Sequence, residues 1–177
     1  MASSTATQLP DIRLVATGHD PDGASLFAFD NRLEQFAPFG TKRSRFTNIH
    51  ITSTVPALNT APFPVHNLAK RSLPSCPTGG VLFCATDIPP GGGGSMHRNS
   101  SMDYAVVLSG EIVLVLDGGE EKTLKEGDVL VQRGTNHCAW RNRTKDVCRV
   151  LVVRVSAEKI VLENGMVLEE TVFGKKP

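Results

Sequence analysis

Four shortages narrow this chain before any motif is read: helical periodicity, paired cysteines, long apolar runs and net charge. The three-and-four spacing of an amphipathic helix is nearly absent, which argues against a helical architecture. No apolar run reaches the roughly 18 residues of a membrane-spanning helix, so no membrane partner is expected. The 19 Lys and Arg against 18 Asp and Glu leave a formal net charge of +1. That balance lacks the electrostatic footprint of a nucleic-acid binder. Cys76, Cys84, Cys138 and Cys148 form no C-x-x-C pair, a spacing that points to reduced thiols. The opening Met1–Pro10 is rich in Ser and Thr and has no apolar signal-peptide core; the expected location is the cytoplasm. The Gly91–Gly94 run lacks the Lys-Ser/Thr and the helix of a phosphate loop.

What is present is β patterning. Short runs of Val, Leu, Ile and Thr alternate with Gly, Pro, Asn and Asp, the texture of an all-β sandwich or barrel. Strands are expected at Ile12–Ala16, Ser25–Phe29, Arg45–Thr52, Val81–Ile88, Tyr104–Leu108 and Glu111–Leu116. Others follow at Asp128–Gln132, His137–Arg141, Val147–Val155, Lys159–Leu162 and Met166–Glu169. Residues 53–79 carry Pro56, Pro62, Pro64, Pro74 and Pro77 and read as a long irregular crossing. We therefore divide the chain into an N-terminal β extension with its crossing (1–79) and a barrel ending in a β-hairpin (80–177). The two make one structural domain, in which 177 residues bury roughly 70% of the unfolded surface. Strands outside a barrel are best protected by a second copy, so a homodimer is expected.

The chemistry concentrates at His97-Arg98-Asn99-Ser100-Ser101-Met102-Asp103. If this stretch is one extended strand, residues 97, 99, 101 and 103 share a face. An imidazole, an amide and a carboxylate would then stand together, and His137 from a neighbouring strand could join them around a divalent metal. In the run Phe46, Asn48, His50, Thr52 the same alternation makes His50 a candidate general acid or base at the barrel mouth. Arg133, in a loop, is a candidate anchor for a substrate carboxylate.

These residues resemble the two signatures of the cupin superfamily. Gly91, His97, Asn99, Asp103 and Gly110 fall at the intervals of Gly, His-x-His, Glu, Gly in the first. Gly127-Asp128, the Arg133-Gly134-Thr135-Asn136-His137 run and Asn142 follow the second. The likeness spans about residues 80–155. The stretches "MHRNSSMDYAVVLSGEIVLVLDGGEE" and "GDVLVQRGTNHCAWRN" look like those of small single-barrel cupins of bacteria and filamentous fungi. Some fungal members are associated with polyketide and other secondary-metabolite pathways.

Three departures stand out. Asn99 replaces the second histidine of the first signature, Asp103 replaces its glutamate, and the spacing around His137 is shifted, which puts Cys138 in the strict histidine register. The resemblance implies a double-stranded β-helix, or jelly-roll barrel, with an N-terminal β extension. It also implies a divalent metal (Zn, Fe, Mn or Ni) on His97, Asn99, Asp103 and His137. The expected function is metal-dependent lyase or isomerase chemistry, dehydration or decarboxylation, on a small oxygenated, polyketide-like substrate. Two rivals stand beside it: an Fe(II) dioxygenase on the same ligands, and a barrel that binds a small molecule without turnover.

Overall fold

A computed structural model describes residues 8–63, 71–73, 75–135 and 137–171; of residues 137–139 it describes the backbone alone. The described chain is all β, with no helix and so none long and apolar enough to cross a membrane. Among the described residues thirteen strands run, beginning with β1 (Ile12–His19), β2 (Ser25–Leu33), β3 (Arg45–Thr52), β4 (Val81–Ile88), β5 (Met96–His97), β6 (Ser101–Ser109) and β7 (Glu111–Leu116). They continue as β8 (Glu121–Lys125), β9 (Val129–Arg133), β10 (His137–Arg141), β11 (Cys148–Ser156), β12 (Ile160–Val161) and β13 (Val167–Leu168).

Two antiparallel sheets build the barrel. One has the order β3-β4-β11-β6-β9, the other β5-β10-β7-β8. Consecutive strands such as β6 and β7 lie in different sheets, which makes the winding a jelly roll. Alternation does the rest: Leu82 and Cys84 on β4, Ala105 and Val107 on β6, and Val150 and Val152 on β11 point inward and meet Ile112 of the facing sheet. The turns demand their glycines. Gly110 takes a φ of +79°, and a Cβ there would lie 3.0 Å from the Val147 carbonyl oxygen. Asn142 is buried, donating to the carbonyls of Ile88 and Asp146 at 2.8 Å and accepting from the Thr144 N–H at 2.9 Å. Two of the motif positions read from the sequence, Gly110 and Asn142, thus hold loops in place.

The β1–β2 hairpin packs on the outer face of the five-stranded sheet, where Leu33, Ile49 and Ala85 form a second small core. The division drawn at residue 79 is corrected here. β3 pairs along its length with β4, so the barrel begins inside the region read as an extension. The segment 97–103 is also not a single strand. β5 belongs to one sheet and β6 to the other, and the chain changes sheet between them.

Candidate functional site

Between the two sheets lies a cavity of about 640 Å³, within the range of small-molecule sites. Its walls come from the strands: Phe46 and Asn48 of β3, Thr86 and Ile88 of β4, Val150 and Val152 of β11, Trp140 of β10. Phe39, Arg43, Leu73, Ser75, Glu170 and Thr171 border it from outside the barrel strands. Trp140 holds a φ of +25° at a register shift in β10. Bulky residues rarely take that conformation, and it costs on the order of 1–3 kcal/mol where the surroundings enforce it.

The polar end of the cavity presents His97, Asn99 and Arg154. His97 is buried, and its Nδ1 lies 3.0 Å from the Ser95 carbonyl oxygen. A carbonyl only accepts, so Nδ1 carries the hydrogen and Nε2 the lone pair. Burial pushes the imidazole below its ordinary pKa, the Ser95 hydrogen bond acting the other way. Asp103 is buried beside it, accepting from the Ser101 hydroxyl at 2.5 Å, with Oδ2 3.3 Å from Nε of Arg154. Arg154 follows Val150 and Val152 on the inward parity of β11.

Of the expected site residues, the structure brings His97, Asn99 and Asp103 into one interior. The backbone of His137 lies directly opposite His97 in the β5–β10 pairing; its side chain and that of Cys138 lie outside the described residues. His50 is placed elsewhere, which corrects the expectation. A bulge between Asn48 and His50 breaks the alternation, so Phe46 and Asn48 line the cavity while His50 stacks on Phe63 at 5.7 Å. Arg133 is corrected as well. It is exposed at the end of β9, an edge strand, and does not border the cavity. Arg154 was not anticipated.

Among the described side chains the donors make no complete set for a divalent cation, and the side chain of His137, the remaining expected ligand, lies outside them. No group of three His, Cys, Asp or Glu converges there. The one carboxylate at hand, Asp103, is already engaged by a hydroxyl and a guanidinium, and a fixed positive charge 3.3 Å away opposes a second cation. Cys76 and Cys84 have raised pKa values, and Cys148 is pushed up to about 12, each mainly by burial.

The two histidines with lowered pKa values yield a stability prediction. Burial holds the His50 and His97 pKa values below the ordinary 6.5. As pH falls through about 6.5, the unfolded chain takes up protons first. Stability is therefore full above that pH and declines below it. Urea unfolding at pH 7.5 and 5.5 should show a lower midpoint at 5.5, with a smaller drop in His50→Gln.

Residues 85–154 match the family profile described as cupin domain. The chain is 38% identical over 174 residues to the phomopsin biosynthesis cluster protein C' of Diaporthe leptostromiformis, covering 94% of this chain and 91% of that protein. It is 33% identical over 129 residues to a cupin-domain-containing oxidoreductase of Aspergillus ruber, covering 72% of this chain and 63% of that protein. An RmlC-like cupin protein from Desulfovibrio desulfuricans, known from its crystal structure, superposes with a TM-score of 0.46 at 17% identity, over 69% of this chain and 91% of that one.

Proposed function

This chain belongs to the cupin family, and from that premise we propose that it is an enzyme of secondary metabolism performing lyase or isomerase chemistry on a small oxygenated substrate held in the barrel. One observation carries the reading: a buried imidazole of lowered pKa, oriented by the Ser95 carbonyl, borders a cavity with largely apolar walls. A neutral imidazole at neutral pH is a competent proton acceptor. His97 removes a proton from carbon next to the substrate carbonyl, and the negative charge that develops lies near the Arg154 guanidinium. Returning the proton at another carbon is an isomerisation, and loss of a β-hydroxyl as water is a dehydration. The phomopsin-cluster relative supports the biosynthetic setting.

The test uses a β-hydroxyketone probe, 4-hydroxy-4-phenylbutan-2-one, in deuterium oxide. Enzyme-dependent deuterium incorporation next to the carbonyl, or formation of the enone, is expected without oxygen consumption. A second reading, oxidation, draws on the name of the Aspergillus ruber relative. Oxygen uptake with the probe, in place of deuterium exchange, would replace the first reading by the second.

A further inference from the structure

Among the described residues, two hydrogen-bond donors at the polar end of the cavity have no acceptor. Asn99 Nδ2 and Arg154 Nε are both buried and, among the described residues, both without a hydrogen-bond partner, although each side chain lines the cavity. Arg154 Nε stands 3.3 Å from Asp103 Oδ2, near enough for charge attraction but not aligned for a hydrogen bond. No hydrogen bond from its Nη nitrogens is found among the described residues. Buried donors left unpaired are unfavourable, and native structures keep few of them. Here two occur in one cavity, on separate elements, one of them charged. Such a pair is completed by a guest that brings oxygen acceptors.

The rest of the cavity narrows what that guest is. Phe46, Ile88, Val150 and Val152 offer an apolar lining. Glu170, at the exposed rim, has one carboxylate oxygen tied to the Ser100 N–H at 2.9 Å. Arg43, also exposed, adds a second cation at the rim. Asp103 accepts from the Ser101 hydroxyl and stands 3.3 Å from Arg154 Nε, and no hydrogen bond among the described residues ties it to the Nη nitrogens, whose fork can pair with a carboxylate. We propose that the cavity takes an organic carboxylic acid with an apolar body, its carboxylate gripped by Arg154 and Asn99. This deepens the functional reading and rests on the same cavity, but it concerns binding alone. Cinnamate binding retained while the β-hydroxyketone probe shows neither exchange nor enone would remove the catalytic reading and leave this one standing.

Calorimetric titration of the full-length protein with cinnamate and with cinnamamide, matched in shape and differing in charge, provides the test. Wild type should bind cinnamate at least tenfold more tightly than the amide, and Asn99→Ala should weaken cinnamate severalfold. Arg154→Met should erase the preference for the acid. Because that change strands Asp103, the double variant Arg154→Met/Asp103→Asn keeps the interior neutral and is judged folded by its circular dichroism. Equal binding of acid and amide by wild type overturns the proposal, as does failure of wild type to bind either probe. A preference for cinnamate that persists in the folded double variant overturns it too.

Discussion

Replacing Arg149 by methionine is expected to lower the unfolding free energy by about 3–5 kcal/mol, the cost of leaving a buried charge without its partner. Arg149 and Asp87 face each other in register across β11 and β4. Nε and Nη2 of the arginine each donate to one carboxylate oxygen at 2.6 Å, and Nη1 donates to the Pro10 carbonyl at 2.9 Å. The two side chains are only 10% and 6% exposed. Surface pairs such as Arg13–Asp30 gain little because water screens them; this pair has little water to fall back on. Asp87→Leu added to Arg149→Met should recover much of the loss, since the pair as a whole need not stabilise more than a hydrophobic substitute. Urea titration of the single and double variants checks both statements. A single variant within 1 kcal/mol of wild type would show that the pair is not what ties the N-terminal segment to the barrel.

The largest effect on activity is expected at His97. His97→Gln keeps a polar side chain of similar size but removes the proton acceptor, and deuterium exchange into the β-hydroxyketone probe should fall about 10²–10⁴-fold. His97→Ala should do the same. His50→Gln should retain the wild-type rate, because His50 stacks on Phe63 and does not border the cavity. The rates are followed by proton nuclear magnetic resonance, with thermal melting as the control for folding. Undiminished exchange in a folded His97→Ala would sink the proposed mechanism.

Much of the barrel is legible in the sequence because its strands announce themselves twice, by alternation and by the turn residues that bracket them. Arg45–Thr52, Val81–Ile88, Glu111–Leu116 and His137–Arg141 have the bounds that patterning predicts. β8 is missed because Glu121–Lys125 carries one apolar residue, Leu124, and is extended through its pairing with β7. The segment 97–103 is misread as one strand because periodicity says nothing of a chain that leaves one sheet for the other. Interior facing survives all the same, since both sheets turn toward the same cavity. His50 is misplaced by a one-residue bulge that no residue type flags. Arg154 was within reach. Cys148, Val150 and Val152 establish the inward parity of β11, and an arginine two residues further along is a charge where an apolar side chain belongs.

The walls of the cavity are strand residues whose neighbours hold the barrel together, while part of its rim comes from residues 39, 43, 73 and 170–171, outside the barrel strands. Such an arrangement separates durability from appetite. Descendants of this barrel could exchange that collar, and with it the size and polarity of the molecules admitted, without reopening the question of whether the chain folds.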